Sequence, residues 1–199
     1  MDDDPTTEIL EATYRALCQH GYANLTVGDI AAEAERSKSL VHYYYGSKAN
    51  LFSEFLRFLY NEYTTQLTSI EDEPPREQLF SILDIVLSDD ETTPSQELRT
   101  AMLEVKVQAP YDDAIQARLR RFDDFLFERV QEIIIAGVDA GEFADDVNPT
   151  VAAEFFVTTI TGAHTRRVAV GYPSERLYEP ITRYVETHLL AAETTGDPR

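Results

Sequence analysis

The chain has 199 residues with a formal net charge of −19, from 17 lysines and arginines against 36 aspartates and glutamates, and a single cysteine. That length holds one continuous core or a small domain beside a larger one, and one cysteine excludes an intrachain disulfide framework or a cysteine metal cluster. No apolar run approaches membrane-spanning length and the start MDDDP is acidic where a signal peptide would be basic, so a cytoplasmic protein with no membrane partner is expected.

The first predicted helix runs from Thr6 or Thr7 to His20, with Ile9, Ala12, Thr13, Ala16 and Leu17 at helical spacing and Gly21 ending it. Cys18 lies in it as a small buried or half-buried residue. Thr26 is an N-cap for a second helix that turns Val27, Ile30, Ala31 and Ala34 inward, and Arg36 falls in the turn that follows. Ser37 caps a third helix. There Val41 and Tyr45, four apart, share an anchoring face, while Ser39, Leu40, Tyr43 and Tyr44 gather on another. Gly46 stops that helix, and Ser47 caps a long one carrying Lys48, Leu51, Phe52, Phe55, Leu56 and Leu59 to about Ser69. Two short helices joined by a tight turn, the second presenting polar and aromatic groups, form a helix-turn-helix, whose second helix lies in the major groove.

The acidic stretch EDEPP, 71–75, breaks the long helix, and another follows on Leu79, Ile82, Leu83 and Val86. A polar loop is predicted over 88–94, then a helix on Leu98, Ala101, Met102, Val105 and Ala109 stopped at Pro110. The longest periodic run begins near Asp112, with a stripe of Ile115, Leu119, Phe122, Leu126, Val130 and Ile133 widened by Phe125, Phe127, Ile134 and Val138; Gly141 closes it. Pro149 takes the first position of the next helix, which carries Val151, Phe155, Ile160 and Ala163 to about Gly171. The last, from Ser174, places Leu177, Ile181, Tyr184, Val185, His188 and Leu189 on one broad face ahead of the polar tail ETTGDPR. No strand alternation and no internal repeat is present, so the chain is predicted to be all-α.

Catalytic chemistry finds no residue to rest on. His20, His42, His164 and His188 have no Glu three residues before them, which removes the carboxylate–metal motif of helical bundles. Phosphate loop, dinucleotide glycine pattern and nucleophile elbow are all missing, and Asp123 with Asp124 fits a solvated face. The expectation is a non-enzyme with no cofactor and no metal. Lys38, Lys48 and Lys106 are the only lysines. So acidic a surface is opposite to the usual balance of a nucleic-acid binder; it fits solubility in concentrated salt, or an acidic protein with no nucleic-acid role.

The run ILEATYRALCQHGYANLTVGDIAAEAERSKSLVHYYYGSKANLF resembles the DNA-binding domain of TetR/AcrR-type repressors. Ile9, Ala12, Leu17, Gly21, Tyr22, Thr26, Val27, Asp29, Ile30, Ala31, Ser37, Tyr43, Gly46, Lys48 and Leu51 stand where that pattern wants them. It departs where the family has a Gly-Val pair and this chain has Glu35 and Arg36, where the family has a small residue and this chain has Leu40, and at His42, Tyr44 and Tyr45, where the family has Tyr, His and Phe. Further on, Gly141, Phe143, Asn148, Pro149, Gly162, Arg166 and Arg167 are similar to the family's second half. The resemblance implies an N-terminal three-helix helix-turn-helix DNA-binding domain, residues 5–48, then a helical-bundle effector-binding and dimerisation domain, residues 49–192. It further implies a homodimer on double-stranded operator DNA, a repressor released by a small-molecule effector.

On that footing Lys38 is expected to donate to a base edge, guanine first, Leu40 and Tyr43 to pack on thymine methyl groups, and Ser39 to make a hydrogen bond. Thr26, His42, Tyr44 and Lys48 are expected to hold phosphates, with Ser37 at the head of the reading helix. A largely apolar or aromatic effector is expected among Tyr63, Met102, Phe122, Phe125, Phe156 and His164, which are large adaptable side chains with few polar handles; His164 also fits a packed, satisfied histidine. Phe155, Thr159, Gly162, Leu177, Ile181, Tyr184, Val185 and His188 are expected to form an isologous four-helix interface in a two-fold dimer. The alternative function is a helical protein–protein interaction module without DNA binding.

Overall fold

The computed structural model describes residues 4–88 and 95–191. Most of the loop predicted over 88–94 and the polar tail lie outside the described residues. Among those described are helices α1 (Pro5–Asn24), α2 (Val27–Glu33), α3 (Lys38–Tyr45), α4 (Lys48–Thr68), α5 (Pro75–Leu87), α6 (Gln96–Gln108), α7 (Asp113–Asp139), α8 (Pro149–Val170) and α9 (Glu175–Tyr184). A 3₁₀ turn, Ala109–Tyr111, precedes α7 and a π turn, Val185–Leu189, follows α9. No strand occurs among the described residues; a single antiparallel bridge pairs Phe143 with Leu190. The chain is all-α.

Local chemistry sets the helix ends. Asp4 caps α1 by accepting from Thr6 N at 3.1 Å, and the regular helix breaks at Gly21 (φ 69, ψ 166), a backbone region that only glycine occupies without strain. Asn148 caps α8 through Val151 N at 3.1 Å with Pro149 at the first position, as its missing N–H allows. α9 holds Pro180, which cannot donate a backbone bond to the preceding turn, and passes into the wider π turn.

The described residues fall into two compact units, one within Met1–Thr65 and Pro94–Phe122, the other within Gln66–Thr93 and Asp123–Arg199. In the first, Ile9, Leu17, Ile30, Val41, Leu51, Phe55 and Val105 share one buried cluster. α6 therefore packs with the helix-turn-helix elements, beyond the 5–48 expected for that domain. Glu104 of α6 accepts from Ala23 N at 3.2 Å, its carboxylate 3.0 Å from where a Cβ on Gly21 would stand. Bare backbone at Gly21 thus admits the group that caps the turn.

In the second unit, buried Leu79, Ile82, Leu83, Ile133, Ile134, Phe156 and Ile160 come from α5, α7 and α8. From α9 and its π turn, Leu177, Ile181, Val185 and Leu189 recur every fourth residue and are 6, 4, 0 and 3% exposed. The segment that follows α9 is clipped to the α7–α8 loop by Ala144 N to Leu189 O at 2.9 Å and Ala191 N to Glu142 O at 3.0 Å. Glu142 also accepts from Arg76 N, in the first turn of α5, at 2.8 Å.

Candidate nucleic-acid interface

α2 opens on a reciprocal capping box: Thr26 Oγ1 accepts from Asp29 N at 3.3 Å while Asp29 Oδ2 accepts from Thr26 N at 2.9 Å and from the Thr26 hydroxyl at 2.7 Å. The helix ends in a Schellman motif, with Arg36 N donating to Ala31 O at 2.9 Å and Glu35 N to Ala32 O at 3.1 Å. Glu35 holds the left-handed position of that motif at φ 52, at a cost of about 1–2 kcal/mol for a residue with a Cβ. The turn is tied to α1 by Arg36 on Glu8 at 2.7 Å and by Arg15 Nη2 on Glu33 O at 3.2 Å.

Ser37 Oγ accepts from Leu40 N at 3.2 Å, capping α3, and Gly46 (φ 72) closes it after two turns. Val41 is buried, and Tyr45 is half-buried with its hydroxyl donating to Thr6 O at 2.9 Å. These two hold α3 against the first unit, as their spacing predicted; the bond to Thr6 was not foreseen, because the family has Phe at that position. Lys38, Ser39, His42, Tyr43 and Tyr44 are exposed and Leu40 half-buried. Tyr43 is 81% exposed and stands edge-on to Tyr44 with ring centroids 5.3 Å apart, a large apolar surface that nothing in its own unit covers. His42 Nδ1 donates to Gly46 O at 3.2 Å, which orients the ring.

Three of the expected DNA contacts turn out to have structural work as well. Thr26 spends its hydroxyl in the capping box and Ser37 in the α3 cap. Lys48 is half-buried, its ammonium donating to Leu25 O and standing 5.4 Å from the Tyr22 ring centroid. Burial pushes its pKa down, opposed by the nearby Asp29 carboxylate. It ties the start of α4 to the loop before α2 and leaves two N–H donors of its three.

Burial, with the Glu54 and Asp4 carboxylates adding to it, pushes the Tyr45 hydroxyl up to about 12. A folded-state pKa above the ordinary value near 10 means that the contribution is fully present below about pH 10 and lost as pH rises through about 12. Tyr45→Phe should therefore lower stability at pH 8 by about 0.5–1.5 kcal/mol, the worth of one hydrogen bond. Thermal unfolding followed by circular dichroism should show this difference shrinking by pH 12.

The expected effector residues separate. In the first unit Tyr63 and Phe122 meet at 5.7 Å between ring centroids, with Tyr60 edge-on to Phe122 at 5.3 Å, and Met102 packs against the core cluster. In the second unit Phe125 is half-buried and Phe156 is 0% exposed, within the core. His164 Nε2 donates to Val86 O at 2.7 Å, and Arg167, almost one helical turn on, donates to Leu87 O and Ser88 O, both at 3.3 Å. This pair satisfies the orphan carbonyls at the C-terminus of α5, a structural role for His164.

The expected dimer residues divide as sharply. Leu177, Ile181 and Val185 are buried in the core of their own unit. Phe155, Gly162, Tyr184 and His188 are exposed and Thr159 half-buried. Phe155 stacks on Tyr184 at 4.4 Å and Tyr184 on His188 at 4.9 Å, a ladder of rings along α8 and α9. Nothing lies within 4 Å of where a Gly162 Cβ would stand. Cys18 is half-buried with its thiol pKa raised by burial, opposite to what a reactive thiolate needs. Among the described residues no group of three or more His, Cys, Asp or Glu is placed to hold a metal ion, and no helix is long and apolar enough to cross a membrane.

A capped two-helix turn, its second helix anchored on one side and open on the other, defines a helix-turn-helix protein. Residues 9–55 match the family of bacterial regulatory proteins, tetR family, and residues 75–190, more than half of the chain, match the C-terminal region of BetI-type transcriptional repressors. The chain belongs to the TetR family, with a C-terminal region of BetI type. A TetR transcription regulator from Haloarcula marismortui is 35% identical with a TM-score of 0.86, over 94% of this chain and 98% of that one. A transcriptional regulator from Saccharomonospora viridis, solved in complex with choline, shares the fold at a TM-score of 0.82 and 19% identity, over 94% of this chain and 98% of that one. The HTH-type transcriptional regulator BetI of Agrobacterium fabrum is 35% identical over 88 residues, 43% of each chain, and that of Brucella melitensis 32% identical over 115 residues, 57% of each. The chain thus spans about half the length of the curated relatives it matches.

Proposed function

We propose that this chain is a cytoplasmic, homodimeric DNA-binding repressor that leaves its operator when a small effector binds. The observation that carries the reading is the outer face of α3, where Lys38, Ser39, His42, Tyr43 and Tyr44 are exposed while Val41 and Tyr45 fix the helix from behind. The stretch 37–53 contains no Asp or Glu in a chain with 36 of them, so α3 and the first turn of α4 bring no carboxylate of their own to a phosphate backbone. DNA binding is assigned to residues 5–48, with effector binding and dimerisation in 49–192.

Lys38 and Ser39 meet base edges, Tyr43 and the exposed part of Leu40 pack on thymine methyls, and His42, Tyr44 and the two remaining donors of Lys48 hold phosphates. Two copies of α3 enter successive major grooves about 34 to 36 Å apart. An effector that fits the DNA-incompetent conformation better draws the dimer toward it and releases the operator. The effector is small and largely apolar, and the rings of Tyr60, Tyr63 and Phe122 are the aromatic group that supports this. An organic cation such as choline, bound by the Saccharomonospora viridis protein, adds a charge that ring faces attract, so choline is the first compound to screen by thermal shift.

In a chain of net charge −19 with so few lysines, affinity does not rest mainly on counterion release. Tyr43→Ala and Leu40→Ala should therefore lower discrimination between operator and random DNA by about 1–3 kcal/mol each. Lys48→Ala should weaken both kinds of DNA alike and flatten the salt dependence. The check is mobility-shift titration against DNA upstream of its own gene across a salt series. An unchanged operator-to-random ratio in the first two variants removes α3 as the reader; no wild-type binding at any salt would favour the interaction module instead.

A further inference from the structure

α2 begins Val27-Gly28-Asp29, and glycine is an odd choice for the second residue of a helix. It weakens the helix relative to alanine, and the backbone there has no left-handed φ to require it. What the position needs is space. A Cβ on Gly28 would lie 2.7 Å from both Cε and Nζ of Lys38, so the Lys38 side chain, rooted in the first residue of α3, lies back across the bare backbone of α2. Asp29 is close by: its Oδ2 is occupied by the Thr26 hydroxyl and amide. Those bonds hold its carboxyl below the usual range, with the charges of His20 and Lys38 adding to the effect.

We propose that Gly28 is a specificity-determining position: by leaving the first turn of α2 without a side chain, it sets the Lys38 ammonium at the junction of the two helices, over one place on the DNA. This rests on α3 being the reading helix. Lys38 is exposed, and what a methyl group at position 28 would meet is the far end of its side chain rather than backbone, so the substitution moves the ammonium and leaves the fold in place. Alanine also has the higher helix propensity, which offsets the 3.3 Å approach of its Cβ to the capping Thr26 Oγ1, so Gly28→Ala should melt close to the wild type.

The test is repeated selection from duplexes with a randomised core by the wild-type protein, Gly28→Ala, Lys38→Ala and the double variant. The wild type should enrich a consensus. Both single variants should lose preference at the same base pairs, on the order of tenfold in the operator-to-random ratio, and the double variant should lose no more than either, since both changes displace one group. If Lys38→Ala alters the consensus and a folded Gly28→Ala keeps the wild-type one, the role of Gly28 is overturned while DNA reading stands. If neither variant alters it, Lys38 reads no base and the inference fails again. If the wild-type protein enriches nothing, the reading of α3 has failed and this inference with it.

Discussion

Tyr184→Glu should halve the mass of the protein in solution while leaving its helices intact, and Ile181→Glu should instead unfold the second unit. Both lie on the last helix, three residues apart, and the sequence put them on one face. The structure separates them, with Ile181 4% exposed inside its own core and Tyr184 37% exposed between Phe155 and His188. If this ladder is the two-fold interface, each ring occurs twice in it. A carboxylate at position 184 then removes one ring from each copy and buries two unpaired charges. Each such charge costs several kcal/mol, against about 8 kcal/mol for a micromolar dimer. Sedimentation at micromolar protein and high salt should give twice the chain mass for the wild type and the chain mass for Tyr184→Glu. Ile181→Glu should lose helical circular dichroism before the question of assembly arises. A well-behaved wild-type monomer would refute the interface.

What the sequence made legible was whatever depends on neighbours in the chain. A cap bonds two or three residues away, so Thr26 and Ser37 could be recognised from their own surroundings, Pro149 marked the first turn of α8, and Gly21 and Gly46 break helices for reasons internal to the backbone. Spacing placed Val41 and Tyr45 on the buried side of α3 because helical period and burial agree there. The departure from the family at Glu35 was visible; that this glutamate takes the left-handed position of a Schellman motif was not, since the turn around it imposes that conformation.

The unseen part depends on residues far apart in sequence. Glu104 caps the end of α1 across 81 positions, and His164 caps α5 across 78. Periodicity marks a face as apolar without saying which neighbour covers it. For that reason the broad face of α9 could not be divided into core and free surface, nor Phe156 told from a cavity-lining ring. Lys48 shows the same limit for charge. A lysine at the head of a helix beside the reading motif suggests phosphate, yet its ammonium also answers a backbone carbonyl 23 residues earlier. The acidic composition left two readings open, because net charge averages over a chain in which 37–53 carries no carboxylate.

Gly137→Ala should destabilise the second unit by about 3 kcal/mol, the upper end for overpacking a filled core. Propensity alone predicts the opposite sign, since alanine in a helix interior is favoured over glycine by about 1 kcal/mol. The difference lies in Phe143, which is fully buried with one side of its ring against α7 where Gly137 leaves the backbone bare. A Cβ there would stand 2.2 Å from Cδ2 and 2.3 Å from Cε2 of that ring. The ring has little room to retreat: Phe143 N donates to Gly137 O at 3.1 Å, and Ala144 N to Leu189 O at 2.9 Å. Displacing Phe143 would loosen the clip that holds the segment after α9, and with it the helix presenting Tyr184 and His188, so the dimer should weaken along with the fold. Urea denaturation of Gly137→Ala, Phe143→Leu and the double variant decides it. The double variant should be more stable than the sum of the single losses implies, because the smaller side chain relieves the clash. Wild-type stability in Gly137→Ala would mean that Phe143 is not seated on α7, and the link from this loop to the α9 surface would go with it.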